Sequence, residues 1–323
     1  MLAAAALVAV PAVPTLTTAF DPAGAPLHGL RILVPNTPGG GFDVTARSTA
    51  KALEDSGIAG PVEVFNLPGN GGVAGLGRTI SEAGNERLVM SAGLGVVGAA
   101  ASRGAPVTLG DTTPIARLVE ESEIVVVPGD SPIGDVHALL DAWRADPSAV
   151  RFGGGSTPGG PDHLATMALA RGAGVDPARV DYLTHDGGGD LLAALLGGEV
   201  EVAVSGLGEF ADQIDAGDLR VLAVTDGDRV PGVDAPTLRE AGVDVEFANW
   251  RGVVAPPGLS AEARSRLEQV FARLRDTPEW RATLRTNGWR DAWLPGAEFD
   301  RFLAAEGQRV AGLLHELGPV PPS

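Results

Sequence analysis

The segment from Arg31 to Arg47, RILVPNTPGGGFDVTAR, constrains the possible fold more than any other part of the chain. Its first four residues are apolar enough for a buried strand, Pro35 to Gly41 interrupts regular structure, and Asp43 opens a helical pattern. A glycine-rich turn between a strand and a helix leaves main-chain N–H groups without partners. The helix dipole adds about half a positive charge at the same place. The segment therefore predicts a binding site for an anion.

Similar apolar runs recur along the chain, and helical patterns lie between most of them. This alternation predicts an α/β protein built from βα units around largely parallel sheets. The length of 323 residues is typical of about two domains, and a hydrophobic content of 44% is sufficient for their cores. The predicted strands are 31–34, 62–65, 87–92, 124–127, 151–153, 180–183, 201–205 and 219–225.

Two amphipathic stripes in the last third predict helices that pack on a core. Ser260 is a suitable N-cap for the first, and Pro278 lies just beyond its end. Glu306 is the polar exception within the second. The stripes are Ala263, Leu267, Val270, Phe271 and Leu274, and then Phe299, Phe302, Leu303, Val310, Leu313 and Leu314.

Two chain crossings define the predicted domain organisation. A crossing strand at 124–127 and a return near 247–255 predict that lobe 2, residues 125–246, is inserted into lobe 1, residues 28–124 plus 247–323. Residues 1–27 contain a nine-residue apolar run, too short to span a bilayer, followed by prolines and small residues. This pattern is typical of a secretory signal and predicts export, although a disordered apolar tail is the alternative.

Composition excludes several kinds of site. A net charge of −17 argues against non-specific nucleic-acid binding, so an anion site must be built locally from main-chain dipoles and a few side chains. The absence of cysteine excludes disulfides, thiolate nucleophiles and cysteine-type zinc sites. None of the five histidines is spaced as in HExxH. We expect neither a metal nor a cofactor.

Catalytic motifs are likewise missing. Ser156 and Ser205 lack the GxSxG frame, and no nucleophile stands beside His163 or His185 in the sequence. We therefore expect a protein that is not an enzyme. The alternative is a nucleotide- or NAD(P)-binding α/β enzyme that uses Gly69 to Ala74, which fits the loose GxGxxG/A pattern but lies several residues beyond its strand.

Three glycine triplets each follow a predicted strand and precede an acidic residue. One interpretation is a tight βα turn with the aspartate as N-cap, and we prefer it for the third triplet. In the first two, the excess of glycine exposes bare backbone and predicts ligand contact. The triplets and their acids are Gly39–Gly41 with Asp43, Gly153–Gly155 with Asp162, and Gly187–Gly189 with Asp190.

Two further segments could add polar groups. Tyr182 and His185 end a strand and could reach a cleft, although His185 could equally be a turn residue that bonds the backbone. Arg251 is a cation suited to a carboxylate, and the neighbouring Trp250 could belong to the core.

Several motifs in order resemble one family. VPNTPGGGFDVTAR, VEVFNLPGNGGVAGLGR, FGGGSTPGGPDHLA, VDYLTHDGGGDLLAALLGGEVEVAVS and NWRGVVAPPG are similar to the substrate-binding proteins of tripartite tricarboxylate transporters, the Bug family. The resemblance extends from about residue 30 to 315, and the form PNTPGGGFD is closest to the citrate-type branch. One departure is Tyr182-Leu183-Thr184, where many relatives carry Tyr-Lys-Gly.

The resemblance implies a two-lobed periplasmic-binding-protein fold of type II with a ligand cleft between the lobes. It also implies an exported, monomeric receptor that binds a small di- or tricarboxylate and delivers it to large and small membrane subunits of a transporter. A carboxylate sensor for a signalling partner is the alternative. Asp43 is expected to brace its turn rather than touch the carboxylate. The implied ligand contacts are Asn36, Thr37, Gly39, Gly40, Asp43, Ser91, Gly155, Ser156, Thr157, His163, His185 and Ser205.

Overall fold

Strands and helices alternate along residues 26–185 and 187–317, which the computed structural model describes. The strands are β1 Arg31–Val34, β2 Glu63–Asn66, β3 Leu88–Gly93, β4 Thr113–Pro128, β5 Arg151–Gly154, β6 Asp181–Thr184, β7 Val202–Gly206, β8 Leu219–Val224, β9 Ala248–Ala255 and β10 Arg290–Pro295. The helices are α1 Gly41–Asp55, α2 Val73–Ser81, α3 Leu94–Ser102, α4 Val136–Ala145, α5 Pro161–Gly172, α6 Gly188–Leu196, α7 Ala211–Ala216, α8 Ala261–Arg275, α9 Pro278–Asn287 and α10 Gly296–Leu317. The predicted alternation of βα units is confirmed.

The long strand β4 belongs to two sheets. Its first half pairs antiparallel with β9 and β10, and its second half pairs antiparallel with β7 and β8. On one side the order is β2-β1-β3-β9-β4, with β1 parallel to both of its neighbours. On the other side β7-β5-β6 continues from β4, again with parallel pairs around β5. In each sheet a glycine-rich turn joins the central parallel strand, β1 or β5, to the helix that follows it.

The prediction of a short strand at 124–127 was wrong in extent. Only the end of β4 has the apolar run of Ile124 to Val127, because Glu120 to Glu123 interrupts the hydrophobic pattern. Three of those polar residues have partners on neighbouring elements of the fold: Arg290 for Glu120, Arg251 for Glu121 and Asp226 for Ser122. The strand β10 was not predicted. The lobe boundaries at 124 and 247 stay a prediction.

The two helices predicted in the last third are confirmed. In α8 the predicted apolar stripe is buried, and the Ser260 hydroxyl accepts a hydrogen bond from the main-chain N–H of Ala263 at 3.0 Å. In α10 the buried Glu306 accepts from the indole N–H of Trp250 at 3.1 Å. Full burial of side chains such as Phe271 stabilises the fold by about 1.5–3 kcal/mol each.

The signal-like prediction covers mainly residues 1–25, which lie outside the described residues, as does the tail from 318 to 323. Leu27 is described, and its N–H donates to the carbonyl oxygen of Ile58 at 3.0 Å. Among the helices that the structure describes, none combines the length and apolar character needed to span a bilayer.

Candidate ligand-binding site

Two turns with the same four residues lie at corresponding places in the two sheets. Thr37-Pro38-Gly39-Gly40 joins β1 to α1, and Thr157-Pro158-Gly159-Gly160 joins β5 to α5. Gly39 and Gly159 have φ values of 89° and 84°, the left-handed region that favours glycine. Gly40 and Gly160 are extended N-caps in both turns. The two predicted anion loops are therefore one local structure used twice.

The idea that the acidic residues act as N-caps was wrong. The N-caps of α1, α5 and α6 are Gly40, Gly160 and Gly187, and none of them makes a side-chain capping bond. Asp43 and Asp162 instead lie within the first turn of their helices. The first turn of a helix has N–H groups without acceptors in the helix, so both turns offer donors to an anion.

Asp43 holds the first loop in shape. One carboxylate oxygen accepts from the main-chain N–H of Gly39 and from Arg47 Nε, both at 2.9 Å, and the other accepts from Asn66 Nδ2 at 2.9 Å. Burial disfavours the charged form, but these three donors outweigh it and lower the pKa of Asp43. With both oxygens engaged, Asp43 braces the turn and occupies the main-chain N–H of Gly39.

His163 has the corresponding position in the second loop. Its Nδ1 accepts from the main-chain N–H of Gly159 at 3.3 Å. Burial lowers the pKa of His163 to about 4, so the ring is neutral near pH 7 and Nδ1 can act as an acceptor. A second brace comes from Asp162, whose Oδ2 accepts from the N–H of Gly155 at 2.7 Å.

The other predicted residues of the second loop surround Asp162. Ser156 Oγ accepts from the Asp162 N–H at 3.1 Å, which leaves the hydroxyl proton available for another acceptor. Ser205 Oγ lies 3.4 Å from Asp162 Oδ2. The main-chain N–H of His185 donates to the Gly154 carbonyl at 2.8 Å. Thr157 is exposed.

The helix α3 brings the two loops to one region. A Cβ atom at Gly95 would lie 3.5 Å from the Phe42 ring and 3.8 Å from Pro161, which lie in the first turns of α1 and α5. The predicted site residue Ser91 lies on β3, with Oγ 3.5 Å from the carbonyl oxygen of Phe42. Of the predicted ligand contacts, Ser91 therefore lies beside the first loop, whereas His185 and Ser205 lie beside the second.

The glycines of the alternative nucleotide motif have a packing role. A Cβ at Gly72 would approach Val96 to 3.0 Å and Pro35 to 3.3 Å, and one at Gly71 would approach Ala99 to 2.6 Å. Because these glycines have no side chain, residues 71–72 can pack closely between α3 and the first loop. The glycine pattern is thus explained without a dinucleotide.

Arg251 adjoins the first loop but already has a partner. Its Nη2 lies 2.9 Å from Glu121 Oε2, and both residues are 5% exposed. A Cβ at Gly41 would lie 2.6 Å from the same Nη2, which places the guanidinium against the start of α1. Trp250 is buried in the core, in agreement with the suggestion from the sequence that it is a core residue.

Sequence reasoning missed a group of acids beside the second loop. Burial and the charge of Asp162 raise the pKa of Glu123 well above its usual value. Burial also raises the pKa of Asp162 to about 6, and burial with the charge of Asp162 raises that of Glu209 to about 7. The one available signal was the polar run Glu120 to Glu123 inside an apolar strand.

A metal site is not found among the described residues: they hold no group of three or more histidine, aspartate or glutamate side chains placed to hold a metal ion. The site consists of main-chain amides, hydroxyls, one paired arginine and several buried acids. Such a set can bind and orient a polar ligand.

Known proteins share this arrangement of elements. The chain is 29% identical over 312 residues to protein BugT of Bordetella pertussis, covering 91% of this chain and 90% of that protein. A TctC solute-binding protein from Polaromonas has a TM-score of 0.73 at 27% identity, with 90% of this chain and 99% of that chain covered. R. palustris Rpa4515, solved with adipate, has a TM-score of 0.78 at 24% identity over 91% of this chain and 98% of that chain.

These likenesses confirm the predicted two-lobed solute-binding fold. The sequence model described as "Tripartite tricarboxylate transporter family receptor" matches residues 45–318. That description names a receptor and agrees with the expectation that the protein is not an enzyme. The chain belongs to the receptor family of the tripartite tricarboxylate transporters.

Proposed function

We propose that this protein captures a small di- or tricarboxylate of the citrate type in the cleft between its lobes. It delivers this ligand to the membrane subunits of a tripartite tricarboxylate transporter, and it works outside the cytoplasmic membrane. The observation that carries the proposal is the matched pair of Thr-Pro-Gly-Gly turns, one at the start of α1 and one at the start of α5.

The turns suit a carboxylate because they supply neutral donors at positive helix ends. A carboxylate oxygen that accepts main-chain N–H bonds gains about 1.5–3 kcal/mol from each charge-assisted bond. In a chain with a net charge of −17, such local donors supply the attraction that the overall charge does not. The hydroxyls of Ser156 and Thr157 lie in the second turn and add donors.

The position of the turns suits a closing receptor. One turn follows β1 and the other follows β5, in sheets that share only the strand β4. A ligand held by both turns favours the closed arrangement, and a membrane partner can recognise that arrangement. The relative solved with adipate supports a carboxylate as the ligand.

Isothermal titration calorimetry of the purified protein tests the binding. Citrate, other tricarboxylates and a series of dicarboxylates are titrated, with NAD(P) and nucleotides as controls for the alternative function. We expect saturable binding of at least one carboxylate and none of the controls. Binding of a nucleotide with no response to any carboxylate contradicts the proposal. Uptake by proteoliposomes that contain the membrane subunits, with and without this protein, tests delivery.

A further inference from the structure

A pocket lies on the face of the paired strands β4 and β9 that is turned away from the first glycine-rich turn. Neighbouring residues of a strand point to opposite faces, so the side chains of Glu120 and Glu121 diverge. Glu121 pairs with Arg251 beside the first turn, whereas Glu120 lines the pocket together with its cross-strand neighbour Trp250. The helix α10 forms the opposite wall, and we call this space the α10 pocket. It is separate from the site at the two turns.

The α10 pocket has the size of one substituted aromatic ring. Its volume is about 210 Å³. A cavity of about 150 Å³ is enough to hold benzene in another protein. Three of the lining side chains are aromatic, namely Phe247, Trp250 and Phe302. The ring of Phe302 is partly exposed and meets that of Trp250 edge to face, with 5.2 Å between their centres. Such walls favour a further aromatic ring.

The acidic side chains of the pocket already have cationic partners. One carboxylate accepts two hydrogen bonds from a single guanidinium, from Nε at 2.8 Å and from Nη2 at 2.7 Å. The three pairs are Glu306 with Arg309, Glu120 with Arg290, and Glu246 with Arg239. Because each acid is compensated in this way, the pocket offers little attraction to a cationic ligand.

Of the two arginines that line the pocket, Arg117 has the weaker pairing. Its Nη1 lies 3.6 Å from Glu120, a carboxylate that Arg290 holds more closely at 2.7 Å. Its Nε donates to the main-chain carbonyl of Ala292 at 2.8 Å, and its Cζ lies 4.6 Å from the ring centre of Phe302. These contacts fix the guanidinium in place. Burial lowers the pKa of Arg117, so an anion beside it would favour the charged form.

We propose that the α10 pocket is a second ligand site, which binds a small aromatic acid with one ring and one carboxylate. The ring packs against Trp250 and Phe302, and the carboxylate pairs with the guanidinium of Arg117. The aromatic walls account for the ring, and the weakly paired arginine accounts for the single negative charge. This site does not depend on the ligand that the two turns hold.

Calorimetry with benzoate tests the proposal, with benzyl alcohol and acetate as probes that lack the charge or the ring. We expect saturable binding of benzoate and much weaker binding of the other two. Arg117→Met should weaken benzoate binding by about ten-fold or more, since a charge-assisted bond is lost. Arg301→Met, which changes an exposed arginine of α10 that does not line the pocket, should leave the affinity unchanged.

A second variant keeps the test decisive if Arg117→Met does not fold, which circular dichroism would show. Phe302→Leu keeps an apolar side chain but removes the ring, and should weaken benzoate binding by about three-fold or more. An unchanged benzoate affinity in a folded Arg117→Met or Phe302→Leu contradicts the proposal. So does a benzyl alcohol affinity equal to that of benzoate, or the absence of benzoate binding.

Gly40→Val distinguishes the α10 pocket from the site at the turns, because a side chain at position 40 obstructs the first turn. Benzoate held in the α10 pocket should still bind this variant. If Gly40→Val loses benzoate binding while Arg117→Met keeps it, benzoate binds at the turns and the inference is wrong. The proposed function is unaffected by that result, since it concerns the ligand of the turns.

Discussion

The main-chain N–H of Gly39 donates to the carboxylate of Asp43 across 2.9 Å, and this bond sets the shape of the first turn. The second turn has the same bond from Gly159, but its acceptor is the imidazole of His163 at 3.3 Å. One turn is therefore braced by a charged group and the other by a neutral ring. The two halves of the site have the same backbone and different responses to pH.

Removal of the first brace should loosen the loop. In Asp43→Ala, the donors from Gly39, Arg47 and Asn66 lose their acceptor, and we expect the free energy of unfolding to fall by about 1–3 kcal/mol. Carboxylate affinity should also fall. Asp43→Asn keeps an acceptor and should lose less of both. Urea unfolding and calorimetry give the two values, and equal losses in the two variants contradict a role for the acceptor oxygen that Asp43→Asn retains.

Gly40→Val should abolish ligand binding while the secondary structure remains. A Cβ at Gly40 would collide with the side-chain amide of Asn36, so the larger side chain displaces this predicted ligand contact and fills the approach to the loop. Gly77→Val is the control, because nothing lies within 4 Å of a Cβ at that position. Circular dichroism and calorimetry are the measurements. Normal binding by Gly40→Val would mean that the first loop is only a turn.

Ser156→Ala should weaken carboxylate binding by about 1 kcal/mol or more, since a hydroxyl donor to the ligand is lost. The same change removes the acceptor for the Asp162 N–H, so a small loss of stability should accompany it. Ser148→Ala, an exposed serine of the same lobe, is the control. Calorimetry measures both affinities, and an unchanged value for Ser156→Ala assigns the donor role to another group.

Arg251→Met should lower the free energy of unfolding by about 3–5 kcal/mol, because Glu121 would be left buried and charged without its partner. Adding Glu121→Gln in the same chain should recover part of that loss. The exposed pair of Arg229 with Glu240 gives the comparison, and Arg229→Met should cost about 1 kcal/mol or less. Urea unfolding of the three variants and the wild type measures these differences. Similar costs for Arg251→Met and Arg229→Met contradict the buried pair.

His163 should make the fold more sensitive to acid. Its folded pKa of about 4 is below the ordinary value, so the unfolded chain takes up this proton first as the pH falls. The stabilisation from the neutral ring is therefore complete above about pH 6.5 and is lost between there and about pH 4. The neighbouring Asp162 acts in the opposite direction, since its pKa of about 6 is raised and the folded chain binds that proton first.

The difference in unfolding free energy between the wild type and His163→Gln isolates the contribution of His163. We expect the stability advantage of the wild type over His163→Gln to shrink as the pH falls from 7 to 4. Tyr182 and the acids Asp162, Glu123 and Glu209 face this region in both proteins, so their contributions largely cancel. Urea unfolding at several pH values measures the difference. A constant difference contradicts a buried neutral ring.

Local patterns predicted the elements well because local forces define them. The strand Arg31–Val34 was predicted to the residue, and the apolar stripes of α8 and α10 are buried where the 3.6-residue period places them. The glycine-rich turns were also visible, since Gly39 and Gly159 adopt a backbone conformation that other residues avoid. The predicted brace role of Asp43 matches its three bonds, while the ligand contacts themselves stay predictions.

Tertiary structure decided which polar groups lie together beside the second loop. Glu121 and Glu123 look like breaks in a strand until β9 and β7 bring Arg251 and Gly206 beside them. Their neighbours Asp162 and Glu209 are far away in sequence, and burial by other elements raises their pKa values. The sequence by itself determined the strands, the helix faces and the glycine turns, because period and backbone sterics act over a few residues. Only the folded chain placed four acids around one loop, because charge and desolvation depend on distances in space.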